Sequence, residues 1–368
     1  MKTAHAGRGP ELTISGLRVR PVDVVPERPL QTAAGTMAST PLVLVDLQTQ
    51  EGVVGSSYVR CYTPLALAVT AILIEDLTDE IAGARLDPDA LIEKLRARFR
   101  LLGLQGLVTI AIAAIEMAAW DATAKVHDQP LSTLLGGEPR PIPAYASLRT
   151  MGPGAAAAEA GEAVEAGFAG VKLKVGAGSL RDDLDAIRAV RAAIGSGPEL
   201  MVDYNQSLSI PEALDRVRAL DDEGPAWIEE PTRADDYRGH AEIAAAARTP
   251  IQLGENWWGP ADMENAIAAG ACDHATLDVM KLGGVRGWLT GAALAARAGL
   301  PASSHTFPEF SVHLEAVTPT CHRLEYLDHA GAILIEPVRV VDGLAYPPDP
   351  PGAGLEWDEE AVQRWIVS

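Results

Sequence analysis

Val171-Lys172-Leu173-Lys174-Val175, closed by Gly176, reads as a short strand, and Leu180 to Ile194 after it reads as a helix. Residues two apart in a strand share a face, so Lys172 and Lys174 point the same way. Two ammonium groups side by side repel, and each is expected to lower the other's pKa. A lysine tuned downward can act as a general base near neutral pH. The plain alternative is a solvated lysine pair that blunts an edge strand.

The same strand-then-helix unit recurs along the chain. Further strand-like segments are Ala144 to Leu148, Leu200 to Asn205, Trp227 to Glu230, Ile251 to Glu255, Ala275 to Met280, Ala302 to His305 and Leu324 to Leu327. Helical stretches separate most of them, such as Ala155 to Ala166, Pro211 to Leu220, Tyr237 to Ala247, Ala261 to Ala269 and Trp288 to Ala298. The link from Phe307 to Arg323 is the least regular. Eight strands at intervals of roughly 20–30 residues are what a (β/α)₈ barrel requires.

Upstream the grammar differs. Leu12 to Val25 and Pro41 to Thr49 read as strands, and Gly52 to Gly55 opens a third. Leu30 to Thr40, small and polar, reads as a mobile loop. Thr63-Pro64 and Asp87-Pro88 mark helix starts, and Gly106 to Lys125 is a helix rich in Ala and Ile. Strands followed by helices, unmixed, indicate an α+β domain. The expected organisation is an α/β protein: an N-terminal α+β domain over 1–138, a (β/α)₈ (TIM) barrel over 139–330, and a C-terminal segment over 331–368. With no barrel strand left for it to join, that segment is expected to pack back on the first domain.

Hydrophobic residues at 48% and charged residues at 22% fit a globular chain with a substantial core. A net charge of −20 argues against nucleic acid and anionic membrane surfaces as partners. Cys61, Cys272 and Cys321 form no CxxC pair, which points to a reducing, cytoplasmic compartment. Met1 to Pro10 lacks an apolar core and reads as a frayed tail rather than a signal peptide. The apolar run Leu107 to Ile115 ends at Glu116, which suits a buried helix better than a membrane span.

Active sites of such barrels lie at the C-terminal strand ends. Asp203, Glu229 and Glu255 end three successive strands at intervals of 26 residues. Three carboxylates converging there repel unless a cation neutralises them. Hard oxygen ligands suit Mg²⁺. Glu230 follows Glu229 in the strand and is expected to face away. Asp278 and His305 end the sixth and seventh strands, close enough for a carboxylate to orient an imidazole. His240, His274, His313 and His322 lack that setting. Glu325 ends the eighth strand, either as an ion-pair partner or as a protonated acid that hydrogen-bonds a substrate carboxylate. Gly176-Ala177-Gly178 is no dinucleotide motif, because Arg181 holds the third glycine position. Ser303-Ser304-His305 has no nucleophile-elbow glycines.

These residues resemble the enolase superfamily, and within it the mandelate racemase subgroup. The carrying stretches are Val171 to Lys174, Met201 to Leu208, Trp227 to Pro231, Gly254 to Trp257, Asp278 to Gly284, Ser303 to His305 and Leu324-Glu325, with Thr40 to Leu44 and Met117 to Asp121 upstream. The resemblance implies the capping domain, a modified barrel and usually a homo-octamer. It also implies Mg²⁺-assisted removal of the proton α to a carboxylate, giving an enediolate, with Mn²⁺ as a substitute ion. Carried over, Asp203, Glu229 and Glu255 hold the metal, and Lys174 and His305 are bases on opposite faces of the α-carbon. Asp278 stands behind His305. Lys172 and Glu325 meet the substrate carboxylate, Ser147 helps, and Asn205 lies near the α-oxygen.

The sequence departs from the subgroup where specificity is set. Leu30 and Met37 replace smaller valines, Arg60, two before Tyr62, replaces an aromatic, and Leu148 and Arg149 replace polar uncharged or His-type residues. Bulk at Leu30 and Met37 shrinks an aryl pocket, and an arginine favours a second anionic or polyhydroxylated end. The expected activity is an isomerase, a 2-hydroxy-acid racemase with a small carboxylate substrate. The competing activity is acid-sugar dehydration through the same enediolate. A non-catalytic binding barrel predicts missing ligands or bases, and none is missing.

Overall fold

The computed structural model describes residues 11–367, so the expectation of a frayed tail over Met1 to Pro10 falls outside it. Strand β1 (Ile14–Val24) pairs antiparallel with β4 (Thr40–Thr49), and β4 with β5 (Val54–Arg60). Between β1 and β4 the chain does not form the strandless loop that its composition suggested. β2 (Leu30–Thr32) and β3 (Gly35–Met37) make a hairpin in which Leu30 opposes Met37. Burial of the Leu30 side chain, 4% exposed, anchors a segment whose local residues carry no strand signal.

Helices α1 (Pro64–Asp76), α2 (Thr78–Ile81), α3 (Pro88–Arg98) and α4 (Leu107–Val126) follow. Thr63 and Asp87 cap α1 and α3 with their side-chain oxygens, ahead of a proline whose fixed φ suits a first helical position. Helix α4 is long and apolar enough to cross a membrane, but it is buried against the sheet as a core helix. Ser57 Oγ donates to the Ala114 carbonyl at 2.6 Å across that contact. A Cβ on Gly55 would lie 2.0 Å from the Ala118 carbonyl oxygen, so only glycine lets β5 and α4 approach this closely.

After α5 (Leu131–Leu134) strands and helices alternate: β6 (Ile142–Ser147), α6 (Pro153–Glu165), β7 (Gly170–Lys174), α7 (Leu180–Ile194), β8 (Glu199–Asp203), α8 (Ile210–Leu220), β9 (Ile228–Glu229), α9 (Tyr237–Ala246), β10 (Ile251–Leu253), α10 (Pro260–Ala269), β11 (His274–Leu277), α11 (Val285–Ala298), β12 (Ala302–Ser304), α12 (Pro308–Ala316) and β13 (Leu324–Tyr326). Parallel ladders run from β6 to β12, and β13 pairs parallel with β6. The β12–β13 seam is closed by single bonds such as His322 N to the Ala302 carbonyl at 2.7 Å. Phe307 to Arg323, irregular in sequence, contains α12, entered through Thr306 and Phe307 at φ +49° and +48°.

The tail departs from expectation. β14 (Arg339–Val341) and β15 (Leu344–Tyr346) form a hairpin, and β15 pairs antiparallel with the start of β6. β7 pairs only with Ala146 and Ser147 of β6, so the start of β6 offers an open edge on that side, and the tail covers it, with the Ala144 N–H donating to the Gly343 carbonyl at 2.8 Å. Beyond it, α13 (Glu359–Trp365) lies on the capping domain. There Trp357 Nε1 donates to Asp46 at 2.8 Å, and Arg20 pairs with both Asp46 and Glu359.

Candidate active site

Barrel strands are short, so several key side chains sit on the first residues of the turns. Asp203 and Glu229 end β8 and β9, while Glu255, Asp278 and His305 follow β10, β11 and β12. Donor oxygens of Asp203, Glu229 and Glu255 lie within 4.8 Å of one another, all buried. Burial and mutual repulsion raise Asp203, and they raise Glu229 to about 8 against the pull of Lys172. Burial also works to raise Glu255, but the charges of His305 and Lys172 hold it near 2. A buried set of hard oxygens that resists ionising together fits a small divalent cation.

The two lysines of β7 part company. Lys172 Nζ lies 2.8 Å from Glu229 Oε1, 2.8 Å from Glu325 Oε1 and 3.7 Å from Asp203 Oδ2. Burial lowers its pKa, but these carboxylates outweigh burial and raise it well above the ordinary lysine value. The expected mutual lowering therefore fails for Lys172. Lys174 does sit below its ordinary value, through burial first and the Lys172 charge second. Its Nζ donates to Ser147 Oγ at 2.9 Å and to the Leu148 carbonyl at 3.2 Å.

Across the site His305 Nδ1 meets Asp278 Oδ2 at 2.6 Å, and the other Asp278 oxygen accepts from the Lys281 backbone N–H at 2.8 Å. The Nδ1 proton is thereby fixed on the Asp278 side, which leaves Nε2 facing the cavity. Nε2 is 3.4 Å from Glu255 and 3.9 Å from Glu325. Burial lowers the His305 pKa, but Glu255 and the Asp278 bond raise it overall. Glu325 is held near 2, because Lys172 and His305 overcome the cost of burial. Its contact with Lys172 at 2.8 Å places it as an ion-pair partner, the first of the two expected roles.

Three neighbours were not assigned roles from the sequence. Gln252 Nε2 and Trp227 Nε1 donate to Glu229 Oε2 at 3.0 and 3.2 Å. A glutamine between Ile251 and Leu253, and a tryptophan two before Glu229, were the available signals. Asn256 donates to Glu230 at 2.7 Å and to Glu255 at 3.2 Å, and accepts from Lys281. Glu230 does not face away: β9 ends at Glu229, and Glu230 turns at φ +38° toward Asn256. Asn205, at φ +44°, spends its backbone N–H and Nδ2 on Asp203, while its Oδ1 has no protein partner.

Lys172, Lys174, Asp203, Glu255, His305 and Glu325 line one cavity of about 190 Å³. Its opposite wall comes from the capping domain: Leu30, Met37, Arg60 and Tyr62. The Arg60 guanidinium lies 4.5 Å from the Tyr62 ring centre, and its Nη2 contacts the Met37 sulfur at 3.4 Å. Arg149 lies behind this wall and donates to the Asp328 carbonyl.

The sequence pattern of the enolase C-terminal domain-like family matches residues 155–361, and that of the mandelate racemase / muconate lactonizing enzyme N-terminal domain matches 16–136. A crystal structure of an enolase from Bradyrhizobium with magnesium and mandelic acid is 44% identical, with a TM-score of 0.93 over 98% of this chain and 99% of that one. A 3,6-anhydro-alpha-L-galactonate cycloisomerase from Streptomyces coelicolor is 31% identical over 93% of this chain and 96% of its own length. An L-talarate/galactarate dehydratase from Salmonella typhimurium is 30% identical over 88% and 82%.

Proposed function

The chain belongs to the mandelate racemase / muconate lactonizing enzyme family of the enolase superfamily, and from that premise we propose that it is a Mg²⁺-dependent racemase of a 2-hydroxy acid. The observation that carries this reading is the pair of bases. Lys174 ends the second barrel strand, and His305 follows the seventh. These strands are three apart around a ring of eight, so the two side chains enter one cavity from different sides.

A 1,1-proton transfer needs that arrangement. Lys174, lowered by burial and by Lys172, takes the α-proton from one enantiomer on Nζ. His305 Nε2 takes it from the other, while Asp278 holds the Nδ1 proton and stabilises the imidazolium. Each base returns a proton to the face opposite its partner. Asp203, Glu229 and Glu255 would hold Mg²⁺, which supplies positive charge against the charge that builds on the substrate carboxylate. Lys172, charged through its carboxylate partners, adds a second fixed cation there. Glu325 holds Lys172 in place, and Ser147 orients Lys174. The octameric assembly and cytoplasmic setting implied by the resemblance belong to the same proposal.

Likeness to sugar-acid dehydratases and cycloisomerases supports a second reading, in which His305 gives its proton to a leaving 3-hydroxyl. Single enantiomers incubated in D₂O separate the two. His305→Asn should cut racemisation by about 10²–10⁴-fold yet still exchange the α-hydrogen of one enantiomer without inverting it. Exchange of both enantiomers, or of neither with the fold and metal binding intact, would break the two-base assignment. Release of a 2-keto acid by the wild type would establish dehydration instead.

A further inference from the structure

Left-handed backbone is uncommon for residues other than glycine, and a β-branched residue there is an outlier. Among the described residues eight non-glycine positions adopt it, and five of them lie within three residues after Asp203, Glu229 or His305: Asn205, Gln206, Glu230, Thr306 and Phe307. Such conformations persist only where the surroundings over-determine them. After Asp203 and Glu229 barrel neighbours do this with hydrogen bonds. Gln206 N donates to the Glu230 carbonyl at 2.8 Å, Gln206 Oε1 accepts from Ala234 N at 2.9 Å, and Asn256 donates to the Glu230 side chain at 2.7 Å.

The turn after His305 is held differently. Thr306 N donates to Glu325 at 3.2 Å and its carbonyl accepts from Ser311 Oγ at 2.7 Å, but its own Oγ1 has no partner. The Phe307 carbonyl accepts from Phe310 and Ser311 of the helix it caps. The buried Phe307 ring is fixed from the other domain. Tyr58 of β5 packs on it with ring centres 5.1 Å apart, and the Tyr58 hydroxyl donates to Glu309 at 2.7 Å. Tyr58 is itself buried, and its ring lies edge-on to Trp357 of the tail at 6.4 Å. One capping-domain side chain therefore grips both residues that flank Pro308, in the first turn after His305.

We propose that Tyr58 is a positioning residue for His305: by gripping Phe307 and Glu309 it holds the left-handed turn that aims the imidazole into the cavity. The end of β7 has no such dependence. Val175 N donates to the Asp203 carbonyl at 2.9 Å and Gly176 N to Asp183 at 2.9 Å, both within the barrel. Docking of the capping domain thus sets His305 and leaves Lys174 alone. This rests on the proposed function only in giving each base its own enantiomer.

Exchange of the α-hydrogen of (R)- and (S)-mandelate in D₂O, followed separately with the Mg²⁺-loaded full chain, tests this, and His305→Asn identifies the enantiomer that His305 serves. Tyr58→Leu should slow exchange of that enantiomer by about 10- to 100-fold, the scale of a misplacement of about 1 Å, and leave the other within about threefold of wild type. Phe307→Leu cuts the same contact from the barrel side and should act alike, and the double variant should lose no more than the worse single one. Tyr58→Phe keeps the ring but not the Glu309 bond and should lie between wild type and Tyr58→Leu. Circular dichroism and Mg²⁺ affinity check the fold of each variant. Equal slowing of both enantiomers, or slowing of neither, would overturn the inference. A second readout needs no turnover: the low-field proton resonance of His305 Nδ1–H, bonded to Asp278, in protein carrying isotope-labelled histidine. It should move or broaden in Tyr58→Leu and move less in Tyr58→Phe, and an unmoved resonance would overturn the inference. Where the wild type exchanges neither enantiomer, the proposed function fails for mandelate alone and the resonance decides this inference by itself.

Discussion

On the barrel side of the cavity the charged groups are engaged: Lys172 by Glu229 and Glu325, Lys174 by Ser147, His305 by Asp278, Glu229 by Gln252 and Trp227. On the capping side Arg60 Nε and the Tyr62 hydroxyl have no protein partner, and Leu30, Thr32, Ala34 and Met37 complete the wall. Side chains locked by their neighbours are pre-organised for one charge distribution, which is what proton removal beside a carboxylate demands. Under the proposed function chemistry falls to the barrel side and selectivity to the capping side, and each can be perturbed separately.

Perturbing the barrel side should have the largest effect. Exhaustive chelation with EDTA should lower turnover by about 10³-fold or more and added Mg²⁺ should restore it, since the Asp203, Glu229 and Glu255 oxygens repel one another without a cation. Full activity after chelation would remove the metal from the comparison altogether. Perturbing the capping side should move selectivity. Arg60→Phe with Leu30→Val and Met37→Val should raise kcat/KM for mandelate relative to other hydroxy acids by about 10-fold, on the scale of a few methylenes and one charge. An unchanged ratio would mean that the barrel sets selectivity as well.

The smallest effect concerns the seam between the two. Tyr58 on β5 donates to Glu309 on α12 at 2.7 Å. Burial raises Glu309 to about 7, although the Tyr58 bond pulls the other way. The folded state then holds a proton that the unfolded chain releases near 4.5, so Glu309 stabilises the fold most below that pH and progressively less up to about 7. Glu309→Gln should remove this slope. Between pH 5 and 8 it should gain about 1–3 kcal/mol relative to the wild type in denaturant titrations. Parallel curves for the two proteins would show that Glu309 stays ionised throughout.

Much of the site was legible in the sequence because strand alternation and the βα repeat are local. Asp203, Glu229 and Glu255 recur once per unit, and Lys172 and Lys174 share a face by periodicity alone. Their convergence follows from barrel closure, so the residue set could be named before any distance was known. Leu30, Met37, Arg60 and Tyr62 came instead from the resemblance, and no local pattern placed them on the cavity.

What only the tertiary structure decided is everything set by partners far along the chain. Lys172 keeps its charge because Glu229 and Glu325 meet it across the barrel, and no local reading of Val171 to Val175 contains them. Glu230 turns toward Asn256 because β9 stops after Glu229, a boundary fixed by pairing with β8 and β10. The tail joins β6 because β7 leaves the start of its edge open, and Leu30 to Met37 forms a hairpin because the assembled fold buries Leu30. Periodicity and residue type determined which side chains gather at the mouth. Charge state, turn direction and edge pairing depend on desolvation and on contacts between distant segments, which exist only once the chain has folded.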